Sequence, residues 1–158
     1  MAIPEGPAGT YATLNIMSKI VKRYKRSVPL RELALHVIQD LPGRKNFGGQ
    51  AERLQNYVRN NIQYVKDING IETIQTPDRT LKNRAGDCDD QAVLLATLLE
   101  TIGHPTRFVA IKLNIFGPYV HVFVETKVKN MWLAAETTED WRLGQGPPKF
   151  TKRMVVNN

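Results

Sequence analysis

A chain of 158 residues, 42% hydrophobic and 23% charged, can bury one ordinary hydrophobic core, which excludes a disordered or fibrous protein. Its formal net charge of +7 admits an acidic partner, yet no zinc-ligand spacing, aromatic RNA-binding string or helix-turn-helix pattern accompanies that charge. The single cysteine excludes an internal disulfide and points to a reducing compartment.

Met1-Ala2-Ile3-Pro4-Glu5-Gly6-Pro7 has neither the basic nor the apolar segment of a signal peptide, and no apolar run approaches bilayer length. The expectation is cytoplasmic synthesis with no membrane partner. Residues 1–9, rich in Pro and Gly, read as a flexible arm. A first helix is predicted over about 10–26, with Leu14, Met17, Val21 and Tyr24 on its apolar side. Lys19, Lys22, Arg23, Lys25 and Arg26 form its solvated side and the natural contact for an acidic surface. A second helix starts behind Ser27 with Pro29 in its first turn. Leu30, Leu33, Ala34, Val37, Ile38 and Leu41 recur there at helical spacing up to a Pro42-Gly43 stop. A third helix, about 49–61, turns Ala51, Leu54, Val58 and Ile62 inward.

An extended piece over 63–67 and a loop over 68–87 follow. The next helix opens at Cys88 and stops at Gly103; it is apolar on nearly every face and belongs at the centre of the molecule. Extended segments are predicted over 106–113, 121–126 and 130–135, with turns at Gly117-Pro118 and over 127–129. Helices gathered in the first half and strands in the second predict an α+β fold. The chain divides into the arm, a single domain over 10–141 and an irregular basic tail over 142–158.

The chemistry concentrates at Arg84-Ala85-Gly86-Asp87-Cys88-Asp89-Asp90-Gln91. A cysteine at a helix N-terminus feels the positive end of the helix dipole, which favours thiolate. His121 opens a strand, and Glu136 ends the next one, four residues after Trp132. Nucleophile, base and orienting acid in that chain order point to thiol-dependent acyl transfer. Glu136 is expected to orient the imidazole through Nδ1, and Trp132 to shelter the pair from water. His36, inside a helix pattern, and His104, in a Gly103-Pro105 turn, read as surface or packing residues. Asp87, Asp89 and Asp90 oppose a thiolate but suit the first helical turn as capping residues. If they point into solvent, a direct Cys88–His121 ion pair prevails over them. A calcium loop is excluded, because the string lacks the central glycine and has Leu98 where the bidentate glutamate would stand. No metal site and no cofactor are expected.

These motifs carry a resemblance. Gly86-Asp87-Cys88-Asp89-Asp90, the long apolar helix, Gly103-His104-Pro105-Thr106-Arg107, His121-Val122-Phe123-Val124-Glu125 and Trp132…Glu136-Thr137 resemble the transglutaminase-like superfamily. The similar core covers about 57–138, with Asn61-Ile62-Gln63-Tyr64 like the family's upstream strand. The resemblance implies a papain-like core: N-terminal helices, a central Cys-bearing helix and a C-terminal antiparallel sheet. It implies Cys88 as nucleophile, His121 as base and Glu136, in place of the family's usual aspartate, as third member. Oxyanion donors would be the Cys88 backbone N–H and the Gln75 side chain, with Asp87, Asp89 and Trp132 shaping the site. The implied activity on a protein or peptide substrate is hydrolysis (protease or amidase), with transglutaminase cross-linking as the other acceptor choice. The short size, Asp67-Ile68-Asn69-Gly70-Ile71-Glu72 and the Gly-Asp-Cys-Asp-Asp string are most similar to phage- or prophage-encoded members. That likeness would add phage structural proteins as partners and association with the virion. It would also admit a non-catalytic virion or assembly protein that retains the fold.

Overall fold

A computed structural model describes residues 6–66 and 73–158. The first five residues of the predicted arm and the Asp67–Glu72 stretch lie outside the described residues. In chain order the elements are α1 (Gly6–Tyr24), α2 (Val28–Ile38), α3 (Phe47–Asn61), β1 (Gln63–Tyr64), α4 (Pro77–Asn83), β2 (Ala85–Gly86), α5 (Cys88–Thr101), β3 (Thr106–Lys112), β4 (His121–Val128), β5 (Met131–Ala135) and β6 (Lys152–Asn157). Four helices thus precede the Cys-bearing helix, the first three of them predicted, and the main sheet lies in the second half, as the pattern predicts.

Local chemistry sets the helix boundaries. Ser27 caps α2 by accepting from Leu30 N, with Pro29 in the first turn, where a missing N–H costs nothing. Asn46 does the same for α3 through Gly49 N at 3.0 Å. Helix α1 begins at Gly6, not near residue 10, because Pro7 is tolerated in a first helical turn. Lys19, Lys22, Arg23 and Arg26 are exposed, while Lys25 is half-buried and lies 3.7 Å from Glu100.

Helix α5 is the centre. Every residue from Asp90 to Leu99 is buried, and α1, α2, α3, α4 and the sheet pack around it. An apolar helix surrounded on all sides is the arrangement its sequence demands. Leu14, Met17 and Val21 of α1 and Leu54 and Val58 of α3 complete the core against it.

The main sheet is antiparallel with order β5-β4-β3-β6, and a two-stranded parallel sheet pairs β1 with β2. Alternation along the strands sends Phe108, Ala110, Val124 and Ala135 toward α5. Val109, Ile111, Phe123 and Ala134 form a smaller cluster on the outer face. Since β5 and β6 are opposite edges, the connection between them must travel around the sheet. Gly144 N donates to Ala134 O at 2.7 Å, and a Cβ on Gly146 would lie 3.3 Å from that of Ala134. Thr151 N then reaches Lys112 O at 2.9 Å, and β6 begins. This connection forms one wall of the candidate site.

Two stretches depart from the sequence expectation. The region read as loop contains α4 and β2, whose seven and two residues are too short to show a period. The tail read as irregular supplies β6, which pairs with β3 from Arg107↔Asn157 to Lys112↔Lys152. Met154 and Val156 pack against the core from this strand, a signal diluted by the exposed lysine and arginine before them.

Candidate active site

Parallel pairing of Tyr64 with Gly86 delivers the chain to the start of α5. Gly86 has no room for a side chain: a Cβ there would meet the Asp90 Cβ at 2.6 Å. Asp87 is the N-cap of α5, accepting from Asp90 N at 3.1 Å, while Asp90 Oδ2 accepts from Asp87 N at 3.2 Å. This reciprocal capping box ties down two helix amides and holds Cys88 as the first helical residue. The Cys88 backbone N–H stands at the position that has no acceptor within its own helix.

The acidic residues do not simply face solvent as expected. Asp90 is buried within the capping box, and Asp89 Oδ1 lies 3.7 Å from the Cys88 sulfur, accepting from the thiol. Burial first, then the charge of Asp89, pushes the thiol well above its ordinary range, and Asp87 adds to the shift. The Val122 N–H, donating to the sulfur, pulls the other way and is outweighed. The expected thiolate is therefore corrected to a protonated thiol, because burial and a touching carboxylate exceed the helix dipole.

That Val122 contact sets the sulfur against the β4 backbone, one residue along the chain from His121. His121 Nε2 and Glu136 Oε2 are 2.6 Å apart. Glu136 follows β5, which pairs with β4, and its carboxylate is only 1% exposed. Its other oxygen accepts from Thr137 N at 3.1 Å, Thr138 N at 3.3 Å and Thr138 Oγ1 at 3.1 Å. Burial alone would raise this carboxyl; His121 and Thr138 outweigh it and hold the group below the usual carboxylate range. The contact is through Nε2 rather than the expected Nδ1. A cavity of about 480 Å³ opens beside the pair, walled by the β3–β4 hairpin and the β5–β6 connection.

Residues 31–137 match the family model of the transglutaminase-like superfamily. The chain belongs to that superfamily. No match was found among curated proteins. Its fold is similar to a proposed protease of Parabacteroides distasonis ATCC 8503, with TM-score 0.65 and 16% identity over 79% of this chain and 26% of that one. It is also similar to a proposed cysteine protease of Cytophaga hutchinsonii, with TM-score 0.59 and 17% identity over 90% and 55% of the two chains. Calcium-bound LapG of Legionella pneumophila gives TM-score 0.59 and 18% identity over 87% and 80%. The chain thus spans about a quarter and just over half of the first two proteins. These likenesses establish the α+β transglutaminase-like fold, with its Cys-bearing central helix and antiparallel sheet.

Within this transglutaminase-like frame, two sequence-predicted residues lie elsewhere. Gln75 is committed to structure: its backbone and side-chain nitrogens donate to Asp90 at 2.7 and 2.9 Å, and its Oε1 accepts from Asn83 at 2.9 Å. Its amide nitrogen also reaches Ala85 O at 3.2 Å, so Gln75 is an anchor for the capping box rather than an oxyanion donor. Trp132 pairs with Lys127, six residues along β4 from His121, which is roughly 20 Å at the rise of a strand. Its ring stacks under Arg107, with the guanidinium 4.3 Å from the centroid, and shelters nothing at the site.

The aromatic residues at the cleft are instead Trp141 and Tyr64. Burial raises the Tyr64 phenol first, with Cys88, Asp87 and Asp89 adding to it, so the ring stands in the field of Cys88 and its acidic neighbours. Gln55 Nε2 holds the start of the β5–β6 connection by donating to Glu136 O at 2.8 Å and Trp141 O at 3.1 Å. Arg59 adds a 2.7 Å bond to Trp141 O. A glutamine and an arginine at helical spacing look like surface polars in sequence; only the returning chain gives them this task. His104 is buried, with Nε2 2.8 Å from Gln50 Oε1, and is a packing residue as expected. Among the described residues no cluster of metal-ligating side chains occurs, and no helix is long and apolar enough to cross a membrane.

Proposed function

We propose that the chain is a thiol-dependent acyl-transfer enzyme acting on peptide or amide carbonyls, with Cys88 as nucleophile, His121 as base and Glu136 as the residue that positions His121. The observation that carries this reading is the buried Glu136 carboxylate clamping His121 through Nε2, beside a β4 amide that touches the Cys88 sulfur. Glu136 fixes the tautomer: an acceptor at Nε2 keeps a proton there and leaves Nδ1 free to accept.

Because Cys88 is held as a thiol, its proton moves to His121 Nδ1 as sulfur attacks the carbonyl carbon. The new oxyanion is stabilised by the Cys88 N–H at the α5 N-terminus. Collapse breaks the C–N bond, His121 returns the proton to the departing amine, and a thioester remains on Cys88. Water, deprotonated by His121, then releases the acid and restores the thiol. Hydrolysis is favoured over cross-linking because the cleft is open to solvent, with the His121 side chain 22% exposed. A protein substrate is in keeping with the proteases that share the fold, and the exposed basic residues of α1 would meet an acidic partner surface.

The test uses a p-nitrophenyl ester of an N-acylated glycine, following nitrophenolate release and the mass of the intact protein. The wild type is expected to gain the acyl group on Cys88, with Cys88→Ala and His121→Ala inert. Full biological function in a folded Cys88→Ala variant would turn the reading to the non-catalytic alternative, a virion or assembly protein that keeps the fold.

A further inference from the structure

We infer that the cleft beside His121 binds a bulky apolar side chain on the amine side of the amide being broken. This inference rests on the acyl-transfer reading above and names the substrate class for it. In that chemistry the proton returned to the leaving nitrogen comes from His121, so the amine half of the substrate lies on the histidine side of the sulfur. The acyl half stays bonded to Cys88 at the start of α5. The cavity includes His121 and Glu136 in its wall, and Cys88 is not among its described lining residues. It is therefore placed for the amine half.

Its lining states the chemistry. Ile111, Leu113 and Val120 come from the β3–β4 hairpin, and Trp141 and Pro147 from the β5–β6 connection that crosses to β6. Leu113 is 61% and Val120 53% exposed, an apolar surface kept open to water on both sides of a hairpin. An open apolar concavity of a few hundred Å³ with a few polar groups at one side is the usual form of a ligand pocket. Thr138, one of the polar groups of the wall, is already engaged with Glu136. Among the other polar side chains of the wall, which include Tyr64, Glu139 is exposed and repels an acidic residue. A Phe- or Leu-like side chain meets this wall well; Gly leaves it empty, and Asp meets like charge.

By microscopic reversibility the pocket that holds the leaving amine must also hold an attacking one. The experiment therefore generates the Cys88 acyl-enzyme from the same p-nitrophenyl ester and offers equal concentrations of L-phenylalaninamide, L-leucinamide, glycinamide and aspartic acid α-amide. Each attack forms an amide bond, breaks the thioester and returns a proton to sulfur through His121. N-acylated products are quantified by mass spectrometry. Phenylalaninamide and leucinamide are expected to be acylated roughly tenfold or more faster than glycinamide, the discrimination one buried apolar side chain supports. Aspartic acid α-amide is expected to be the poorest acceptor. Leu113→Asp, or Val120→Asp should the first variant misfold, is expected to bring the leucinamide-to-glycinamide ratio near one; the ratio cancels any change in acylation itself. A flat wild-type ratio, or no product from any amine, overturns the inference while leaving acyl transfer intact. Nitrophenolate release that does not require Cys88 overturns the acyl-transfer reading itself.

Discussion

Replacing Glu136 by glutamine changes one atom at a buried position and so isolates what the carboxylate does. Glu136 Oε1 accepts three hydrogen bonds from Thr137 and Thr138, and Oε2 faces His121 Nε2 at 2.6 Å. A glutamine must choose which side receives its NH₂. Turned toward the threonines, it would leave the two backbone N–H donors of Thr137 and Thr138 without an acceptor, at about 1–3 kcal/mol for each buried group. It therefore keeps its oxygen there and presents NH₂ to His121. An amide nitrogen only donates, so Nε2 must accept and the ring proton moves to Nδ1, the nitrogen that has to take the thiol proton. The wrong tautomer, together with loss of the charge that stabilises the imidazolium, lowers acylation by about 10³- to 10⁴-fold, as in serine triads. Stability changes little, because three bonds survive and a buried charge disappears. The loss stays within about 2 kcal/mol, or roughly 4–8 °C in Tm for a chain of this size. The assay is nitrophenolate release under single-turnover conditions at neutral pH, with Tm from circular dichroism. Release within about threefold of the parent, in a folded variant, refutes the role of Glu136.

The remaining predictions concern the thiol and its support. Iodoacetamide should alkylate native Cys88 with an apparent pKa above the free-thiol value of about 8.5, and Asp89→Asn should speed the reaction at fixed pH; a value below 8.5 would restore the ion pair. The same raised thiol sets a stability slope. The native state keeps its proton where the unfolded chain has lost it, so stability should fall as pH rises above about 8.5. Cys88→Ala should flatten that decline in urea midpoints measured across the alkaline range, and an equally steep decline in the variant contradicts it. Glu136 works at the other end: its lowered pKa contributes stability that is present at neutral pH and lost as pH falls through the native value, and Glu136→Gln should lessen that acid loss. Gly86→Ala, which sets a Cβ 2.6 Å from that of Asp90, should cost about 1–3 kcal/mol in urea denaturation and displace the capping box; a neutral effect would mean the turn relaxes freely.

Local rules alone specified much of this protein. Ser27 before Pro29, the apolar spacing of α2 and α3, the all-apolar helix after Cys88 and the Gly103 stop are each a propensity or a period that acts within a few residues. Gly103 has φ +91°, which accounts for glycine at that helix end. The order Cys88, His121, Glu136 was legible for the same reason: each lies at the start or end of an element that the pattern reveals. Contacts between distant segments were decided only by the tertiary structure. The strand β6 exists because β3 offers an unpaired edge, and no period in Lys152–Asn157 announces that. Gln75 became an anchor because Asp90 is buried beside it, and Trp132 left the site because register places it opposite Lys127. Trp141 entered the site because Gln55 and Arg59 hold its carbonyl. The protonation of Cys88 belongs to this second group as well. A helix dipole can be read from sequence, but burial and a carboxylate 3.7 Å from the sulfur depend on where the chain folds back, and those are the larger forces.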